Sequence, residues 1–137
     1  MWAVYALLSA FFAALTSIFA KVGLQDINSN LAVAIRTVII LIIAWSVVFV
    51  TGKQHDIAQL AHRNVLFLVL SGIATGLSWL FYYRALQIGE VSKVMPVDKS
   101  SLVIGMLLAF VILGEALNFK TIIGGALIAI GTIVLIL

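Results

Sequence analysis

VSKVMPVDKSSLVIGMLLAFVIL, residues 91–113, is an apolar run long enough to cross a bilayer that nevertheless carries Pro96, Asp98 and Lys99 near its head. A spanning helix needs about 20 mostly apolar residues, in a range of roughly 17 to 25. An ionisable side chain within that length is costly in hydrocarbon, so where one occurs it faces a cavity or a partner and marks function by default. Two readings of the segment stay open. If the helix begins near Val91, Lys99 lies about 12 Å along it, near the midplane and toward a substrate route. If Pro96 is instead the first helical residue, its missing N–H costs nothing, Asp98 compensates the positive helix end and Lys99 snorkels to the interface. Pro96–Leu113 alone is still about 27 Å long, barely enough to span. In either case Asp98 and Lys99, about 100° apart around the helix, do not both point one way.

The rest of the chain has the same character. Of its 137 residues 64% are hydrophobic and only 9% charged, with a mean hydropathy of +1.27, which leaves too little polar surface for a water-soluble domain. The fold class expected is an all-α integral membrane protein, with residues 1–137 forming a single transmembrane domain. Five helices fit the apolar runs. The first spans Trp2 to Val22 and stops at Gly23 with the polar turn Gln25 to Ser29; the second spans Leu31 to Val50, with Asn30 as its N-cap, and ends at Thr51-Gly52. The longest loop, Lys53 to Arg63, carries both histidines. Asn64 is read as the cap of the third helix, Val65 to Gln87, closed by Gly89. The fourth starts between Val91 and Pro96 and ends at Leu113, and after Gly114-Glu115 the fifth begins at Phe119.

Several function classes are excluded early. There is no cysteine, hence no disulfide and no thiolate metal site. The formal charge of +3 is dispersed, without the basic cluster that nucleic acid requires. His55 and His62 have no third ligand at metal spacing, and no phosphate loop, nucleophile elbow or zinc motif is present, so neither an enzyme nor a cofactor is expected. The first apolar run lacks a basic lead and a small-residue cleavage site, and is expected to be a retained helix.

Candidate binding residues lie on three helices. Arg36 sits in helix two; a guanidinium there either snorkels to the nearby interface, pairs with Asp98, or holds an anionic substrate in a bidentate fork. Helix three carries Ser71, Thr75, Ser78 and Tyr82 at steps of four, three and four, one polar face, flanked by Gly72, Gly76, Trp79 and Tyr83. Those hydroxyls either meet a ligand or bond back to their own helix, while Tyr82 and Tyr83 also suit an interfacial belt. Asp98, Lys99 and Ser101 complete the candidate substrate set. Lys21 and Arg84 read as interfacial anchors. Gly124, Gly125, Ala129 and Gly131 give helix five small residues on which a second copy can pack as well as the chain's own helices.

Charge distribution bears on topology. With five spans, Lys53, Arg63 and Lys120 fall on one side, Lys21, Arg84 and Lys93 on the other, and Arg36 and Lys99 inside. Orientation follows an excess of Lys and Arg in short loops, and here there is none. A chain without that bias inserts both ways round and forms an antiparallel pair, unless one charge, such as a snorkelling Arg36 or the Met1 amine, fixes a single orientation.

Tyr83-Arg84-Ala85-Leu86, followed by Gly89, Pro96, the Leu113-Gly114-Glu115 triplet and a glycine-bearing last helix from Gly124 to Gly131, resembles the EamA-type half of the drug/metabolite transporter superfamily across essentially the whole chain. The resemblance implies two five-helix halves in inverted orientation around a central cavity, and hence, for a chain with one half, a dimer that exports or exchanges small metabolites. Where that family usually has apolar or small residues after the fourth-helix proline, this chain has Asp98 and Lys99. The expected function is a secondary transporter that moves a small polar metabolite, anionic or zwitterionic, by alternating access as an antiparallel homodimer in the cell's inner membrane. The cargo class follows from Arg36, Lys99 and Asp98, which leave one net positive charge inside each protomer when all are ionised. Asp98 is the proton-coupling candidate. The rival is a non-transporting structural subunit that stabilises a partner membrane protein through helix five.

Overall fold

The computed structural model describes residues 1–116 and 118–137. In chain order it comprises α1 (Trp2–Gly23), α2 (Ser29–Val50), a 3-10 helix (Lys53–Gln59), α3 (His62–Ile88), α4 (Val91–Lys99), α5 (Ser101–Leu108), a π-helical turn (Ala109–Leu113) and α6 (Phe119–Ile136). No strand occurs among the described residues. Among the described residues five segments are long and apolar enough to cross a membrane: α1, α2, α3, the composite Val91–Leu113, and α6.

Two helix starts differ from the sequence expectation. The cap of α2 is Asn28 rather than Asn30: Asn28 has extended backbone, φ −68° and ψ 132°, and its Oδ1 accepts the Asn30 N–H at 2.8 Å. Asn30 thus lies in the first turn, because an Asn two residues upstream already satisfies the open donor. The α1–α2 turn is closed at Asp26, in left-handed conformation at φ 61°, which Asp tolerates better than most residues. In α3 the helix begins at His62 rather than after Asn64, since the Ala61 carbonyl already accepts the Val65 N–H at 3.2 Å. The Lys53–Arg63 loop is correspondingly short, and most of it is the 3-10 helix.

The fourth span settles the question of its start. It begins at Val91, capped by Glu90 in extended conformation, so Pro96 stands inside the helix. The ladder then breaks at Ser100. Its N–H reaches back only three residues, to the Val97 carbonyl at 3.0 Å, and its hydroxyl donates to the same oxygen at 2.6 Å. The Pro96 carbonyl is met from α6 instead, by the Thr132 hydroxyl at 3.3 Å, which also donates to Ile128 O at 2.9 Å. A broken helix survives in lipid only when freed backbone groups are met by neighbouring helices in this way. The span ends in the π turn, and Gly114, at φ 67°, closes it while the Glu115 N–H bonds the Ala109 carbonyl at 3.3 Å. That left-handed position is one a side chain would strain. At the start of α6, Asn118 Oδ1 accepts the Thr121 N–H at 2.8 Å.

Contacts divide the chain into two compact units, one of residues Met1–Ile18 with Ile88–Leu137, the other Phe19–Gln87. In the first, α6 packs on α4 and α5; Thr132 and Gly125 are buried, and a Cβ on Gly125 would meet Met106 Sδ at 3.3 Å. In the second, the buried apolar side chains are Ala20, Leu24, Val33, Tyr83 and Leu86. They cluster in sequence at the end of α1, the start of α2 and the end of α3. The Lys21 ammonium donates to the Leu86 carbonyl at 2.6 Å, meeting one of the last carbonyls of α3 with a cation at the negative helix end. Most large apolar side chains, such as Phe12, Ile39 and Phe67, remain exposed. That is the pattern expected in a bilayer, where lipid tails are as apolar as Leu and packing and hydrogen bonds, rather than water exclusion, join the helices.

Candidate functional site

Each unit holds charged side chains within a spanning segment, in very different surroundings. In the second unit Arg36 lies seven residues into α2, about 10.5 Å along it. Its guanidinium stands 3.8 Å from the centroid of the Trp79 ring and 5.3 Å from that of Tyr83, both on α3. Trp79 and Tyr83 are four residues apart and so share a face of α3. By sequence Tyr83 suits either an aromatic wall for a ligand or an interfacial belt; in the structure it is buried, at 3% exposure, with the Arg36 guanidinium over its ring. A cation over an aromatic face is held without being neutralised, and the guanidinium also donates a hydrogen bond to the Tyr83 hydroxyl, which engages only part of its five donors.

In the first unit, Asp98 and Lys99 pair with each other, Nζ to Oδ2 at 3.5 Å. Adjacent side chains leave a helix about 100° apart, yet a long lysine chain bends back far enough to reach its neighbour. About half of the Lys99 side chain and a third of that of Asp98 remain uncovered. They sit directly before the Ser100 break, about 12 Å from the start of the span, and Ser101 opens α5 on the other side of it, exposed.

The hydroxyl stripe of α3 is only partly available to a ligand. Thr75 donates to the Ser71 carbonyl at 2.9 Å, the back-bonding alternative, whereas Ser71 and Ser78 are exposed. On α6 the four small residues divide: Gly125 packs within its own chain, Ala129 is half-buried, and Gly124 and Gly131 face open space. Among the described residues no three His, Asp or Glu side chains stand close enough to hold a metal ion. The Arg36–Trp79–Tyr83 stack and the Thr132 tie were not foreseen from sequence. The i, i+4 aromatic spacing was a legible signal for the first; nothing marked Thr132.

An EamA-like transporter family model matches residues 1–137. This chain belongs to the EamA-like transporter family. A relative described as an uncharacterized transporter in the cobO 3′ region of a Sinorhizobium species is 48% identical over 134 residues, covering 98% of this chain and 95% of the relative. No solved structure matches. In a family member of this length, five spans make one multi-pass membrane half.

Proposed function

We propose that this EamA-like protein is a secondary transporter of small anionic or zwitterionic metabolites, working by alternating access as an antiparallel homodimer in the cell's inner membrane. The observation that carries the reading is the Asp98–Lys99 pair beside the Ser100 break in a spanning helix. Ionisable groups at that depth mark substrate and ion routes, and broken helices supply the irregular backbone that transporters place at their binding sites. The Arg36 guanidinium, held by aromatic faces rather than by a carboxylate, supports a cargo with negative charge. Asp98 is the group positioned to exchange a proton as Lys99 turns from it to the cargo. Ser101, Ser71, Ser78 and Trp79 supply further contacts, and Thr75 contributes once its hydroxyl leaves the Ser71 carbonyl.

The even division of loop lysines and arginines supports insertion in both orientations. The open faces of Gly124 and Gly131 offer close approach to a second copy. The test is side-specific labelling of single cysteines, Gln54→Cys and Ser92→Cys, in this cysteine-free chain. Each is expected to be labelled in part from both faces of the membrane. Labelling of each from one face only would exclude the antiparallel dimer and favour a stabilising subunit that pairs with a different protein.

A further inference from the structure

The second unit has a cavity that lies on a different face of α3 from the Arg36 stack. It measures about 490 Å³, within the range of ligand sites. One end is polar and lies where the start of α2 and the end of α3 meet. There Arg84, one turn from the end of α3, faces Asn28, Ser29 and Asn30 at the first turn of α2. The other end is apolar and runs inward along α3 through Phe81, Leu80 and Leu77, the last about 10.5 Å from Arg84.

The polar end is built rather than incidental. Arg84 Nη1 donates to Gln87 Oε1 at 2.9 Å, and Gln87 Nε2 donates in turn to the Ile27 carbonyl at 2.7 Å. This chain ties the α1–α2 turn to the end of α3 and fixes the guanidinium while using one of its five donors. Its acceptor there is a neutral amide, so the positive charge is not cancelled. Among the described residues, Arg84 is the only ionisable side chain of the cavity lining. The positive end of α2 points into the same space, and the Asn28 and Asn30 amides add donors.

The apolar end identifies the occupant. Phe81 is 75% exposed and Leu77 52%, on a helix long and apolar enough to span a bilayer, so the apolar wall of the cavity is open on its outer side. A water-soluble anion gains nothing from such a wall, whereas an acyl chain is in continuous contact with it. We propose that this cavity seats an anionic phospholipid, its phosphate on Arg84 and the first turn of α2, its upper acyl chain along Phe81, Leu80 and Leu77. Basic pockets between spanning helices are where anionic headgroups bind. The lipid bridges the same two helix ends that Gln87 joins, and so stabilises the second unit by mass action.

The test is thermal unfolding of the full chain in phosphatidylcholine nanodiscs with and without phosphatidylglycerol. Phosphatidylglycerol is expected to raise the midpoint of the parent protein. Arg84→Gln is expected to lower the apparent affinity for it about five-fold, the factor set by one basic residue at the membrane surface. Arg84→Lys should recover part of that loss, and Arg63→Gln, which removes a charge elsewhere, should change nothing. If Arg84→Gln fails to fold, native mass spectrometry of the Phe81→Ser protein replaces it, with loss of retained phosphatidylglycerol expected. Equal stabilisation by both lipid mixtures, or an undiminished response in Arg84→Gln, would overturn the proposal. So would an equal rise caused by inorganic phosphate in pure phosphatidylcholine discs, because the site would then take a free anion.

Discussion

Arg36 and the Asp98–Lys99 pair are both charges inside spanning segments, and the chain treats them in opposite ways. Arg36 is held by its own unit, stacked on Trp79 and Tyr83. Asp98 and Lys99 have each other, at 3.5 Å, with about a third of the Asp98 side chain and half of the Lys99 side chain uncovered beside a helix break. A charge packed by aromatic faces contributes to stability whatever else it does. A half-exposed ion pair beside a lapse in the helical ladder contributes little to stability.

The contrast is sharpest in Trp79→Ala. This change removes both ring packing and the face beneath Arg36, and is expected to cost about 2 to 3 kcal/mol, less than a fully buried tryptophan because Trp79 is half-buried. Denaturant titration in mixed micelles measures it; a loss no larger than that of an exposed α2 variant would mean the stack is ornamental. Thr132→Val probes the break itself. It withdraws the donor from the Pro96 carbonyl while conserving shape, with an expected cost of about 1 kcal/mol. An unchanged unfolding midpoint would show that Pro96 finds another partner. Lys99→Met should move stability least, by under about 1 kcal/mol, since a half-exposed ion pair is weak. A large loss of folded protein there would erase the difference between the two regions.

A further prediction separates the hydroxyls of α3. Ser78→Leu should impair exchange of a radiolabelled amino-acid and carboxylic-acid mixture in proteoliposomes more than Tyr82→Leu, because the deeper group has no interfacial water to replace it. Parent-like exchange in both variants would remove this face of α3 from the cargo path.

The sequence made the five spans legible because apolar length is a coarse and strong signal, and the span from Phe119 and the end at Leu113 fall where expected. Caps were less legible. In Asn28-Ser29-Asn30 all three residues are good caps, and only the backbone angles distinguish Asn28. Pro96 was compatible with a first-turn position or an internal one, since a proline is tolerated inside a membrane helix when another helix supplies a donor, and that donor, Thr132, lies 36 residues away. The Arg36 stack was half legible: Trp79 and Tyr83 share a face at i, i+4, but which helix packs against that face is a tertiary fact. That Lys21, read as an anchor, also meets the Leu86 carbonyl was not legible for the same reason.

The most direct measurement compares Lys99→Met and Asp98→Asn in proteoliposomes, reading exchange of the same acid mixture and proton flux, each normalised to folded protein. If the pair lines the cargo path, Lys99→Met abolishes exchange of anionic and zwitterionic species with the fold intact. Asp98→Asn keeps exchange and loses proton-coupled flux, because the amide preserves shape and hydrogen bonding but cannot take up or release a proton. Parent-like exchange and proton flux in both folded variants would contradict the account and place the transport site elsewhere.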